Sequence, residues 1–217
     1  MNSPIIQLLV LAGIAIFLIL RLKNVLGTRE GFEKPPVQAP SPRSRADFEV
    51  IEGGPDPDIA DHTEGKPDAA EALAKMKAAE PSFGVSDFLG GARGAYEMIL
   101  MGFERGDMAE IKPFLDDDVY ASFAEVVEAR EKQGLTIEAT FVGIREMALD
   151  DATIDEASGI GEVSVRFIGE MTSVVRDNAG EVVEGDETKI KRQKDVWTFA
   201  RKMGSDDPNW QLVATGE

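Results

Sequence analysis

The pattern of apolar and polar positions changes character three times along this chain. From Ile5 to Leu20 the residues are apolar except for Gln7, and the basic residues Arg21, Lys23, Arg29 and Lys34 follow. Sixteen helical residues fall slightly short of a hydrocarbon core of ~30 Å. Extending the helix to Asn2 and Leu22 closes the gap, because Arg21 and Lys23 can reach back to the head groups. A cleavable signal peptide would carry its basic residues before the apolar run and a small-residue cleavage site after it. The order here is reversed, which favours a retained anchor over a signal peptide or a buried core helix. Charge flanking then places the N-terminus outside and the rest of the chain in the cytoplasm. Residues 1–26 are therefore read as a transmembrane anchor with a basic flank.

The second pattern has no sustained period. Eight of the eleven prolines fall between Pro35 and Pro81. Lys34-Pro-Pro-Val-Gln-Ala-Pro-Ser-Pro42 and Gly53-Gly-Pro-Asp-Pro-Asp58 cannot hold continuous helix or sheet. Residues 27–81 are read as an acidic, Pro-rich, flexible linker. His62, the only histidine, lies within it and is read as a bystander. Asp68 to Glu80 is rich in helix formers but shows a thin apolar stripe of Leu73 and Met76. A surface helix is the expectation; a docking helix or nascent structure are the alternatives.

The third pattern is that of a globular domain, residues 82–217. Ser86 can cap a helix from Asp87 to about Arg105, with Phe88, Ala92, Ala95, Tyr96, Ile99, Leu100 and Phe103 on one stripe. Gly90, Gly91 and Gly94 each cost ~1 kcal/mol in a helix. Close packing against another element is the expected reason for them. Asp107-Met-Ala-Glu110 resembles a capping box for a short helix reaching Leu115. Asp116 or Asp117 can cap a third helix that runs through Gln133 and stops at Gly134. From Leu135 the period becomes two: Ile137, Ala139 and Phe141 share a face, as do Val163, Val165 and Phe167. Asp177-Asn-Ala-Gly180 reads as a turn. Lys189–Met203 and Trp210–Thr215 read as strands, the first placing Asp195, Trp197, Phe199 and Arg201 on one side. The fold class is α+β, three helices on one face of a curved antiparallel sheet.

Composition narrows the chemistry. With no cysteine, thiolate metal sites, disulfides and cysteine nucleophiles are excluded. A formal charge of −17 argues against broad binding to nucleic acid or to anionic lipid surfaces, an average that local basic patches can override. Asp116-Asp-Asp118 fits helix capping and lacks the alternating spacing of a calcium loop, so no metal is expected.

Six motifs occur in a specific order: Phe88-Leu-Gly-Gly-Ala-Arg93, Phe103-Glu-Arg-Gly-Asp107, Val163-Ser-Val-Arg-Phe167, Glu184-Gly-Asp186, Asp195-Val-Trp-Thr-Phe199 and Asp207-Pro-Asn-Trp210. Together they resemble the Tim-forty-four-like domain in its bacterial branch, over about residues 83 to 217. The resemblance implies a cone similar to nuclear transport factor two, with helices on a curved sheet around an apolar pocket. It implies a non-enzymatic adaptor at the inner membrane, needing no cofactor. In mitochondria the relative links a translocation channel to an Hsp-seventy-type chaperone and contacts cardiolipin-rich membrane. A second relative belongs to the mitochondrial large ribosomal subunit. This chain lacks the long basic N-terminal region of the mitochondrial tether and has the anchor and acidic linker in its place.

Enzymes on the related fold need a buried carboxylate or a His–Asp pair. The domain has no histidine, and Asp150, Asp151, Asp155 and Asp186 fall in turns or at strand ends. Asp195 is the best-placed carboxylate, with an ion pair to Arg166, Arg192 or Arg201 as its expected role. Tyr96, Leu100, Phe103, Phe114, Tyr120, Phe123, Phe141, Phe167, Trp197 and Phe199 either line a pocket for a lipid tail or apolar peptide, or fill one another as a packed core. Lys189, Lys191, Arg192 and Lys194, joined by Arg201 and Lys202, form a basic cluster. Two readings stay open for it: a charge-guarded edge strand, or a contact for lipid head groups or an acidic or ribosomal partner surface.

Overall fold

Residues 56–216 are described by a computed structural model. The expected anchor and the linker up to residue 55 lie outside the described residues. Among the described residues no helix is long and apolar enough to cross a membrane.

Order begins well ahead of residue 82. A single turn, α1 (Pro57–Ala60), is capped by Asp56, whose Oδ1 accepts from the Asp58 amide at 3.0 Å. Then α2 (Pro67–Ala79) starts on a proline at its first position, where no intrahelical amide is lost. This helix was expected on the surface, and the structure corrects that. Leu73 and Met76 are fully buried, and Ala69 and Ala72 are also enclosed. The reason is legible in hindsight: positions 69, 72, 73 and 76 follow the i, i+3, i+4, i+7 spacing of an apolar stripe. Two of its four members are alanines, which carry too little area to stand out.

The long helix α3 (Val85–Arg105) ends at Gly106, whose φ of 76° closes the last turn in the left-handed region. Ser86 is not its cap. Asp58, from α1, reaches the helix start instead: Oδ2 accepts from the Val85 amide at 2.7 Å, and Oδ1 accepts from the Ser86 amide at 3.0 Å and the Ser86 hydroxyl at 2.6 Å. Burial works against the Asp58 charge, but the Ser86 and Val85 donors outweigh it and hold the carboxyl below its ordinary range. His62 lies 3.1 Å from the Ser86 hydroxyl, in the same junction.

After Gly106, α4 (Met108–Ile111) is capped by Asp107 and runs into a 3-10 turn over Lys112–Phe114. Then α5 (Asp117–Lys132) is capped by Asp116, which accepts from the Val119 amide at 2.7 Å. The glycines in the first half of α3 are not packing positions: a Cβ added at Gly90, Gly91 or Gly94 meets nothing within 4 Å. The close approach occurs about two to three turns later. A Cβ on Gly102 would sit 2.3 Å from Ile111 Cγ2, where α4 crosses the end of α3. Gly102→Ala is expected to destabilise the fold by about 1–3 kcal/mol through overpacking. Gly94→Ala, at an open helical position, is expected to stabilise by about 0.5–1 kcal/mol. Chemical denaturation of the two variants checks the opposite signs.

The sheet is antiparallel in the order β1-β2-β3-β4: β1 (Thr136–Asp155), β2 (Ile160–Arg176), β3 (Val182–Lys202) and β4 (Gln211–Gly216). Register shifts between Phe141 and Gly143, Ile144 and Glu146, and Leu149 and Asp151 bend β1, as bulges do. The Asp177–Gly180 turn joins β2 to β3 as expected, with the Gly180 amide on the Asp177 carbonyl at 2.9 Å. Val163, Val165 and Phe167 on β2 are completely buried, and Trp197 and Phe199 on β3 nearly so. The α+β class with helices on one face of a bulged antiparallel sheet is what the alternation predicts; α1 and α2 are additions to it.

Candidate functional site

A surface cleft of about 460 Å³ opens between the start of α3, the 3-10 turn, the end of β3 and the loop that precedes β4. Its apolar floor is aromatic. Phe88 meets Trp210 edge-on at 4.7 Å between ring centroids and Phe199 at 6.1 Å, and Phe83 lies 5.8 Å from Trp210. Gly91, Ala92 and Ala95 form the α3 wall, so the space comes from small side chains. The exposed glycine at 91 keeps the cleft open rather than packing an element.

One rim is charged. Glu80, just past the end of α2, meets Arg201 of β3 with a distance of 2.7 Å from Nη2 to Oε2. The same Oε2 accepts from the Gly204 amide at 2.9 Å. The Arg201 guanidinium, foremost, and the Gly204 amide hold the Glu80 carboxyl below its ordinary value. Arg201 is 8% exposed, lies 5.3 Å from the Trp210 ring centroid and donates through Nη1 to the Asp207 carbonyl at 3.3 Å. Its Nε is enclosed without a hydrogen-bond partner among the described residues. Asp87 also lines the cleft.

The expected pocket residues divide into three groups. Tyr96, Phe167 and Trp197 fill one another: Tyr96 stacks on Phe167 at 4.3 Å and meets Trp197 at 4.7 Å. Leu100 is buried with them, and Phe141 reaches Tyr96 at 6.2 Å. Phe103 and Phe123 pair at 4.6 Å on the α3–α5 side, under Arg130 at 4.4 Å from the Phe103 centroid. Tyr120 lies beneath Lys112 at 5.2 Å. Of the aromatic residues singled out from sequence, Phe199 and Phe114 line the cleft. Phe83, Phe88, Trp210, Glu80 and Arg201 complete it, and sequence reasoning did not gather them. Phe83 and Glu80 sit at what read as the linker boundary, whereas Trp210 and Arg201 were noted in other roles.

The titratable candidates are occupied by local structure. Asp155 accepts from the Ala157 amide and the Ser158 hydroxyl, Asp186 from Thr188, and Asp151 from the Ala152 amide. Asp150 lies 3.7 Å from Lys66. Asp195 is buried, accepting from the Tyr96 hydroxyl at 2.6 Å and from Gln193 at 3.0 Å. Burial, then the Asp195 hydrogen bond, pushes the Tyr96 phenol far above its ordinary range, so it stays a donor. The arginines expected at Asp195 have other carboxylates: Arg166 takes Glu146, Arg192 takes Glu170 and Arg201 takes Glu80. Neither Asp195 nor Tyr96 lines the cleft. Among the described residues no three His, Cys, Asp or Glu side chains gather to hold a metal ion.

Lys189, Lys191, Arg192 and Lys194 are all exposed on β3. They lie on the half of the strand beyond β4, since β4 pairs only with Val196–Ala200.

Comparison with known proteins agrees with the motif order. Residues 69–217 match the Tim44-like domain family. The human mitochondrial import inner membrane translocase subunit TIM44 is 24% identical over 151 residues, covering 68% of this chain and 33% of that protein. The mouse protein of the same name is 22% identical with the same coverage. The chain thus spans about a third of the length of the curated relatives it matches. Among solved structures, the intermembrane space region of the chloroplast protein ARC6 is similar at a TM-score of 0.42 and 10% identity, covering 59% of this chain and 94% of that one. A ketosteroid isomerase-like protein from Erwinia carotovora atroseptica is similar at 0.33 and 14%, covering 58% and 92%. The family match starts in the first turn of α2 and takes in every later helix and all four strands; this chain belongs to the Tim44-like domain family.

Proposed function

We propose that this chain is a non-enzymatic adaptor that holds a protein partner at the cytoplasmic face of a bacterial inner membrane, within protein translocation or a related step of protein biogenesis. The observation that carries the reading is the family match over residues 69–217, whose named relatives are translocase subunits. Two further observations support it. The aromatic cleft with a charged rim is the kind of surface that seats an anchoring side chain of a partner. The buried carboxylate Asp195 accepts from Tyr96 and Gln193 inside packed aromatic core, away from the cleft, which supports a structural role for it. The apolar run at residues 5–20 supplies the tether in this reading, and the domain reaches its partner through the intervening residues.

A second reading uses the same cleft for a lipid tail or another small apolar ligand, favoured by the floor of Phe83, Phe88, Phe199 and Trp210.

Crosslinking the full-length chain in native membranes, then identifying the captured chains, tests the first reading. The control keeps residues 1–55 and lacks residues 56–217. A discrete partner captured only with the domain is expected. Capture identical to the control, with an apolar ligand retained in native mass spectrometry, would transfer the function to the second reading.

A further inference from the structure

The sheet leaves one internal strand half-finished. On one side β3 pairs with β2 before and after a bulge, but on the other β4 covers Val196–Ala200 only. Among the described residues the opposite edge of Lys191–Lys194 has no strand beside it. Every second residue there turns its amide and carbonyl away from β2. The slot is closed at its far end by a large bulge: Met171 pairs with Lys191, but Ser173 pairs with Asp186, so Glu187–Ile190 loop out. Asp186 pins that loop by accepting from the Thr188 amide at 2.8 Å and hydroxyl at 2.7 Å.

The bulge creates a pocket of about 460 Å³ lined by Ser173, Gly185, Asp186, Lys189, Ile190 and Lys191. Ile190 is 53% exposed at its margin. Along the slot stand Lys191, Arg192 and Lys194; Arg192 is held by Glu170 at 2.9 Å, while Lys189, Lys191 and Lys194 sit in no ion pair among the described residues. This positive stretch belongs to a chain of formal charge −17.

We infer that Lys191–Lys194 of β3 is a strand-addition site for an acidic, extended segment of a protein partner, which continues the sheet in line with β4 and seats its last side chain in the pocket beside Ile190. Main-chain hydrogen bonds supply the register, the lysines select acidic side chains, and the pocket fixes the end. This surface deepens the adaptor reading and rests on it. It lies apart from the aromatic cleft, so its failure leaves capture of a partner through that cleft intact.

The test uses the full chain in neutral detergent and a synthetic peptide of alternating glutamate and valine, roughly ten residues long. Controls are a lysine–valine peptide and the acidic peptide with alternate valines replaced by proline. The acidic peptide is expected to bind, to weaken as salt rises, and to slow amide hydrogen exchange at residues 191–194. Lys191→Glu with Lys194→Glu is expected to weaken binding about tenfold or more while leaving the thermal midpoint unchanged. Ile190→Ser is expected to weaken the acidic peptide without altering its salt dependence. Equal binding of the proline-interrupted peptide, or no protection at residues 191–194, overturns strand addition. Protection produced by phosphatidylglycerol in the micelles and not by the peptide would make this edge a membrane contact and overturn the proposal as well.

Discussion

Deleting residues 56–81 is expected to abolish cooperative folding of the rest of the chain. The deletion removes three separate supports. Leu73 and Met76 are fully buried, on a helix that packs against β1, and each would cost about 2–5 kcal/mol if cut back to alanine. Glu80 goes with them and leaves Arg201 buried without its carboxylate, at about 3–5 kcal/mol. Asp58, which takes two amides at the start of α3, adds about 1 kcal/mol as a lost cap. Even the low ends of these ranges approach the roughly 5–15 kcal/mol that holds a domain together. Near-ultraviolet circular dichroism of the full chain reports the packing of Trp197 and Trp210. The deletion should flatten that signal and remove the sigmoidal melt. A cooperative melt retained by the shortened chain would show that the core closes without α1 and α2.

The second large effect belongs to the Glu80–Arg201 pair. Glu80→Ala is expected to cost about 3–5 kcal/mol, because the guanidinium it abandons is 8% exposed and its Nε already lacks a partner among the described residues. Replacing both residues with methionine should cost clearly less than Glu80→Ala alone, since the uncompensated charge goes too. A double-mutant cycle by urea denaturation reads the difference. The pH dependence has a definite sign. The Glu80 carboxyl is held below its ordinary value of 4.5 by the Arg201 hydrogen bond, then by the Gly204 amide. A depressed folded value means that the carboxylate's contribution is complete above that ordinary value and fades as pH falls through the lower folded one. The stability gap between the native chain and Glu80→Gln should therefore be full at neutral pH and narrow on acidification from about 4.5 downward. A gap that stays constant to low pH would mean that the charge on Glu80 contributes nothing.

Both expectations concern residues placed, on sequence grounds, in a flexible linker, and the reason is physical. Prolines at 55, 57, 67 and 81 mark breaks between elements, and a dense run of breaks reads like disorder. Two of those prolines instead begin helices, at the position where proline is tolerated. The alanines of α2 concealed its apolar stripe, since a methyl group signals burial weakly.

Where the determinants were local, the chain spelled them out. The stripe of α3, the Asp116 cap of α5, the glycine stop at 134, the change of period after Leu135 and the Asp177–Gly180 turn all depend on neighbours a few residues apart. The alternation that put Asp195, Trp197, Phe199 and Arg201 on one side of β3 was equally legible, because strand geometry fixes it. So was the order of motifs that marks the Tim44-like family.

Tertiary structure alone decided what those side chains meet. Tyr96 fills the space beside Phe167 and Trp197, so the aromatic set reads as packed core rather than as an open chamber. The opening lies elsewhere, where Phe83 and Trp210 approach across more than a hundred residues of chain. Arg201 finds Glu80 at a separation of 121 residues, and Asp58 caps a helix that begins 27 residues later. Contacts at that range leave no periodic trace, because each depends on how whole elements pack and not on the spacing within any one of them.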